Sequence, residues 1–394
     1  MEPIKITDSV YWVGGIDWKL RSFHGYRTPR GSTYNAYLII DEKVTLIDTV
    51  KSYLVDELIA RVSKIIDPSK IDYIISNHVE MDHSGGIPRL MELAPNAVIY
   101  TSFPNGEKGL KRHYKKDFNF KPVKTGDSLN IGKRTLSFVT VPMIHWPDNM
   151  ITYSAYDKIL FSNDAFGQHI ASTQRFDDEI GLDILIEEAK SYYANIVLPY
   201  GAQVQGALKV VSALDIEVIC PSHGLLIRSY IQGVLNSYAD WCVCKDDGTA
   251  IVVYDTMWGS TEKMAYAVMN AFEAKGIKAR LFGLQQDHYS DIMTYAMTAK
   301  YICVGSSTLN NNMLPTVAAF LTYMKGLAPK GKIGFAFGSY GWSGQSVGQV
   351  EEALKECKFE LLDNFVRFPY IPDEEELDKL TAQLIEKIHV ELFS

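Results

Sequence analysis

Six consecutive positions, His78-Val79-Glu80-Met81-Asp82-His83, hold four side chains able to bind a metal. They follow the apolar run Tyr73-Ile74-Ile75-Ser76, which reads as a strand. A loop at a strand end can turn several such side chains toward one point. Mixed imidazole and carboxylate donors suit iron, manganese or zinc far better than calcium. Three more donors occupy matching places in the same half: His145 after the strand-like 136–141, Asp164 after 159–161 and His223 after 216–219. A single ion would hardly use so many groups, so the set predicts a dinuclear site. The isolated histidines His24, His113, His169, His288 and His389 read, each taken alone, as surface or satisfied core residues.

A second group of loops lies in the C-terminal part. Thr256-Met257-Trp258-Gly259-Ser260-Thr261 leads from an apolar run into a helical pattern and is rich in hydroxyls. Backbone N–H groups at a helix N-terminus bind phosphate, and Ser and Thr add donors. The stretch is neither G-x-G-x-x-G nor a Walker A motif, which disfavours NAD and nucleoside triphosphates. Two further loops are Ser306-Ser307-Thr308-Leu309-Asn310-Asn311 and Ser339-Tyr340-Gly341-Trp342 with Gly344. They follow the third and fourth strands of this part, where doubly wound sheets bind their ligands. An aromatic flanked by glycines can lie against a flat ring. One such loop would be ordinary; three at consecutive strand ends point to FMN.

The elements that must position these residues differ between the halves. In the first, strands are expected at 10–13, 37–40, 45–47, 73–76, 98–100, 136–141, 151–154 and 159–161, with helices among them at 54–65, 86–93 and 183–194. This reads as α/β with much antiparallel pairing, two sheets covered by helices. The polar stretch 244–249, Cys-Lys-Asp-Asp-Gly-Thr, marks a boundary. We take the domains as 1–247 and 248–394. Beyond it, strands at 250–254, 278–282, 301–304, 332–337 and 359–362 alternate with helices at 261–275, 291–298, 315–325, 347–357 and 374–392. That alternation predicts a doubly wound parallel sheet of flavodoxin-like order 2-1-3-4-5.

The metal motif resembles the H-x-H-x-D-H signature of metallo-β-lactamase-fold hydrolases, and His145, Asp164 and His223 fall where that family's later ligands fall. Glu80 departs from it, standing where the hydrolases place a second histidine. A hard anionic oxygen donor favours iron over zinc. This is the pattern of the flavodiiron proteins, and the resemblance then covers essentially the whole chain. It implies an αββα metallo-β-lactamase-like domain followed by a flavodoxin-like one. It implies one iron on His78, Glu80 and His145, a second on Asp82, His83 and His223, and Asp164 bridging them. His24, Tyr193 and Trp146 become candidates for residues acting from beside the ligands. The implied activity is reduction of O2 to water, of NO to N2O, or both. Electrons would come from an external, rubredoxin-like donor through FMN. The implied assembly is a head-to-tail homodimer, or a tetramer.

Composition bounds the alternatives. The 394 residues are 47% hydrophobic and 22% charged, enough for more than one core. A net charge of −8 argues against nucleic-acid binding. No run of 18 apolar residues is present and the start, Met1-Glu2-Pro3-Ile4-Lys5, lacks signal-peptide features, so no membrane span is expected. Five scattered cysteines do not form a disulfide framework, and a reducing cytoplasm is expected. The rival readings are a zinc hydrolase with a fused flavodoxin domain, and a flavin electron carrier or redox sensor.

Overall fold

The computed structural model describes residues 1–389. By internal contacts the chain forms two compact units. The first comprises Met1–His24, Thr28–Tyr193 and Ala202–Ala239; the second takes Gly25–Arg27, Ala194–Gly201 and the chain from Asp240 onward.

Two sheets build the first unit. One has seven strands in the order Ile4–Lys5, Val10–Trp12, Tyr37–Ile39, Thr45–Ile47, Tyr73–Ser76, Val98–Ser102 and Phe120–Val123. Its first four strands pair antiparallel, and from Thr45–Ile47 onward the pairing is parallel. The other has five: Ser128–Asn130, Thr135–Thr140, Met150–Ser154, Ile159–Asn163 and Val218–Pro221, the last pair parallel.

Period-two alternation explains the layers, because successive strand side chains face opposite sides. Ile39, Ile47, Ile75 and Tyr100 face the second sheet, meeting Leu136, Phe138, Ile159 and Phe161. Their neighbours Leu38, Leu46, Ile74 and Ile99 face the other way, onto Leu58, Val62, Ile87 and Leu90 of the helices Val55–Val62 and Ile87–Leu93. A sheet buried on both faces needs continuous apolar runs, which is why these strands stand out in the sequence.

The second unit is a parallel sheet in the order Ala279–Gly283, Ala250–Asp255, Tyr301–Ser306, Ile333–Tyr340 and Glu360–Leu361, which is 2-1-3-4-5. Its core joins Val252 and Cys303 of the strands to Met264, Val268 and Leu380 of the helices. The expected fifth strand is in fact two short pieces. Val366–Pro369 also pairs with Ile333–Tyr340, so that the edge extends beyond the expected 359–362. The last helix runs Glu374–Lys387; the end of its expected span, 390–392, lies outside the described residues.

Candidate metal centre and cofactor pocket

The strand Tyr73–Ser76 delivers the motif His78-Val79-Glu80-Met81-Asp82-His83 to the end of the first sheet. The motif is not all loop: Met81–Ser84 forms one helical turn with Glu80 at its N-cap, which projects Asp82 and His83 from successive positions. The turn is pinned where Thr49 N–H donates to the His83 carbonyl (2.7 Å) and Ser84 Oγ to the Val79 carbonyl (2.7 Å). The second sheet supplies the remaining donors. Asp164 follows Ile159–Asn163, His223 follows Val218–Pro221, and His145 lies between Thr135–Thr140 and Met150–Ser154. Asn163 ties these turns together. Its side-chain Oδ1 accepts from Asn149 Nδ2 and its Nδ2 donates to Ser222 Oγ, both at 3.0 Å.

All seven residues converge in two groups. His78, Glu80, His145 and Asp164 form one; Asp82, His83 and His223 form the other; in each group the facing atoms lie within 4.8 Å of one another. Asp164 faces both. Its Oδ2 stands 3.6 Å from His78 Nε2 and 3.5 Å from His145 Nε2, while Oδ1 stands 3.0 Å from His83 Nε2 and 3.5 Å from His223 Nε2. Glu80 Oε2 is 3.4 Å from His78 Nε2 and 3.3 Å from His145 Nε2, and Asp82 meets His83 and His223 at 3.3 Å on its two oxygens. Ligands about 2.1 Å from a shared ion sit roughly 3.0–3.4 Å from each other. His78 Nε2, His83 Nε2 and both oxygens of Asp82 and Asp164 are buried with no hydrogen bond. Buried polar groups are otherwise almost always bonded, so these fit a pair of cations.

The outer nitrogens settle the tautomers. His78 Nδ1 lies 2.8 Å from Asp148 Oδ2, and His223 Nδ1 lies 2.8 Å from the Thr33 carbonyl. Both partners only accept, so Nδ1 carries a proton and Nε2 is the nitrogen left to face the cluster. Burial disfavours charge on the histidines, yet the surrounding groups override it. The Asp148 hydrogen bond and the nearby Glu80 and Asp164 carboxylates raise His78 to about 10. Asp82 and Asp164 raise His83, and Asp164 and Glu80 raise His145, each to about 9. The three carboxylates are buried too, but the histidines hold them below the usual carboxylate range. Three buried carboxylates are thus held in their charged form, the form that can bind cations.

In the second unit the helix Ser260–Ala274 starts after Gly259, whose φ of 83° belongs to the left-handed region that glycine adopts without strain. Three hydroxyls from three strand ends meet there: Thr261 Oγ1 lies 2.9 Å from Ser307 Oγ and 2.8 Å from Ser339 Oγ. Beside them is a cavity of about 270 Å³, lined by Met257, Trp258, Ser260, Ser307, Ser339, Tyr340, Gly341, Tyr370 and Ile371.

The chain matches the ODP family beta lactamase profile over residues 33–224 and the Flavodoxin profile over 252–383. It is 44% identical over 366 residues to the nitric oxide reductase of Moorella thermoacetica, covering 92% of each chain. Its structure resembles rubredoxin oxygen:oxidoreductase from Desulfovibrio gigas with a TM-score of 0.95 at 40% identity, covering 98% of this chain and 97% of that one. It resembles the flavodiiron protein from Giardia intestinalis with a TM-score of 0.95 at 34% identity, covering 98% and 96%. This chain belongs to the flavodiiron protein family.

Around the seven converging donors of this flavodiiron protein, His24 Nε2 reaches Glu80 Oε1 at 2.6 Å from an exposed position. Trp146 stands edge-on to His78 with ring centroids 5.1 Å apart. Tyr193 is fully buried and packs edge-on to Tyr238 at 5.0 Å. Its neighbour Tyr192, not singled out in the sequence, comes 5.8 Å from the His223 ring. His169, taken as a satisfied residue, bonds Ser32 at 2.6 Å and lies 4.8 Å from the His223 ring. Among the residues expected around a flavin, Thr256, Gly259, Thr261, Ser306 and Thr308 are not part of the lining. Leu309 ends one strand of a small hairpin, Thr308–Leu309 with Asn312–Met313, whose turn carries Asn310 and Asn311. Trp342 is exposed and Gly344 caps the helix Gln345–Glu356. Sequence reading missed Tyr370 and Ile371, because they follow the displaced strand Val366–Pro369. A second strand end shortly before Pro372 was the available signal.

Proposed function

We propose that this flavodiiron protein reduces O2 to water, NO to N2O, or both. The carrying observation is the Asp164 carboxylate with one oxygen toward each of two His/carboxylate groups, in a chain that also has a flavodoxin unit. The metal domain would span 1–247 and the flavin domain 248–394. His78, Glu80 and His145 would hold one iron, Asp82, His83 and His223 the other, with Asp164 shared. FMN would occupy the second-unit cavity, its phosphate at the N-terminus of Ser260–Ala274 and its ring among Trp258 and Tyr340. Two irons and one FMN, when bound, supply the four electrons that reduction of O2 to two waters requires, or the two needed to couple two NO into N2O.

The chain's residues orient and protect. Asp148 and the Thr33 carbonyl fix the ring planes of His78 and His223, so the ligand set is formed before a gas arrives. His24 holds the second Glu80 oxygen, which limits how far that carboxylate can swing. With its exposed edge it is also placed to pass a proton toward the cluster. An external donor of the rubredoxin type would reduce the FMN. A head-to-tail homodimer would bring the FMN of one chain to the irons of the other. No helix of the described residues is long and apolar enough to cross a membrane.

The test is to purify the protein with its metals, count iron, zinc and FMN, reduce it anaerobically and follow O2 and NO with electrodes. About two irons and about one FMN per chain with rapid loss of either gas are expected. Zinc in place of iron, no gas consumed after iron reconstitution, and esterase turnover would instead make it a hydrolase.

A further inference from the structure

A separate cavity of about 20 Å³ lies in the first unit, between the second sheet and the helices Gly201–Val211 and Ile231–Trp241. That is room for one water-sized molecule. Its lining is aliphatic and aromatic except for Ser162 and Tyr238, and both polar groups are engaged. Ser162 Oγ donates to the Ala165 carbonyl at 2.8 Å, and Tyr238 Oη accepts from the Phe166 N–H at 2.8 Å. A buried water typically needs about three hydrogen bonds, and this lining does not provide them. An apolar molecule forfeits nothing by entering.

The position is informative. Ala165 and Phe166, in the wall, directly follow Asp164, and Ile144, also in the wall, directly precedes His145. The cavity therefore backs onto two of the turns that carry the metal-binding side chains. On its far side Ala207 and Leu208 of Gly201–Val211 are half-buried, so the wall there is one side chain thick. We infer that this cavity is a binding site for a diatomic gas, a dry compartment that takes O2 or NO from solvent past Gly201–Val211 and holds it beside the Asp164 and His145 turns. The inference rests on the gas-reductase reading for its purpose, but its occupancy can be measured without turnover.

Xenon reports apolar compartments of this size. Crystals of the holoprotein pressurised with xenon should show one atom between Phe166, Ile144 and Val204. Ala207→Leu should fill the space, abolish that xenon, and lower the second-order rate of O2 or NO combination with the reduced enzyme about three- to tenfold. Iron content and the rate at saturating gas should stay as in the parent. Val204→Ala, which removes atoms instead, should keep or raise xenon occupancy and leave combination at least as fast, and it serves if the larger side chain prevents folding. Absence of xenon from the parent cavity overturns the inference. So does a filled cavity with unchanged gas combination, which would make the space a packing void. If the parent consumes neither gas, the proposed function fails, while xenon still decides whether the compartment accepts an apolar molecule.

Discussion

Asp148 shows how much of a candidate metal site can rest on a residue outside the donor set. One of its oxygens, Oδ2, accepts from His78 Nδ1 and from the Val79 N–H, both at 2.8 Å. It therefore orients one candidate donor, His78, and sets the backbone path toward the next, Glu80. A carboxylate in this place also makes the imidazole a stronger donor. His223 has only a carbonyl, that of Thr33, so the two groups are supported unequally. Asp148→Asn keeps the shape but can present its amide nitrogen and removes the charge. Iron affinity at the His78 group should fall about 10- to 100-fold, with the His223 group little changed. Chelator competition, followed by the loss of iron absorption, should then show one fast and one slow phase. Two phases as slow as those of the parent would mean that Asp148 serves the loop and not the ligand.

At the scale of elements, the site depends on how closely helix Asn105–Tyr114 packs behind the ligand turn. A Cβ at Gly109 would lie 2.8 Å from Val79 Cγ2, and Val79 sits between His78 and Glu80. Gly109→Ala should cost roughly 1–3 kcal/mol from overpacking, more than the roughly 1 kcal/mol that alanine adds to helix propensity. Denaturant unfolding should therefore show net destabilisation, with faster iron loss. Gly206 in Gly201–Val211 is the control. A Cβ there meets nothing within 4 Å, and Gly206→Ala should be neutral or stabilising. Equal effects at both positions would refute the packing argument.

The same helix marks where sequence reading stopped. Asn105–Tyr114 buries only Gly106 and Leu110, so no apolar stripe announces it. Thr45–Ile47 and Tyr73–Ser76, buried on both faces, were legible to the residue. The converging donors stand out in the sequence for a different reason: four of them occupy six positions. Their supports were not. Asp148 is 70 residues from His78 and Thr33 is 190 from His223, pairings that only the folded sheets create. The flavodoxin order could be read because each strand is an apolar run between amphipathic helices. Its last strand was legible only in its first piece, Glu360–Leu361, because it is interrupted between Leu361 and Val366.

For the whole molecule, the two sheets of the first unit share one apolar core, and they also share the cluster of seven donors. His78, Glu80, Asp82 and His83 come from the end of one sheet, and His145, Asp164 and His223 from the turns of the other. Bound cations would therefore link the sheets at the edge of that core and offset the repulsion among three buried carboxylates. The second unit has its own core, around Val252, Phe335 and Leu380, and none of the seven donors. Metal and flavin should accordingly stabilise different parts of one chain. A ligand at about a thousand times its dissociation constant adds roughly 4 kcal/mol. In a unit of this size that is on the order of 10 °C. Calorimetry of the holoprotein should resolve two transitions. Chelation should lower one by about that much while leaving the other in place. Removing FMN should do the reverse. The assignment follows from tracking each transition with a local probe: iron absorption for the first unit, flavin fluorescence for the second. If chelation lowers both transitions equally, the cluster's contribution is not confined to the sheets it joins, and the two units unfold as one cooperative body.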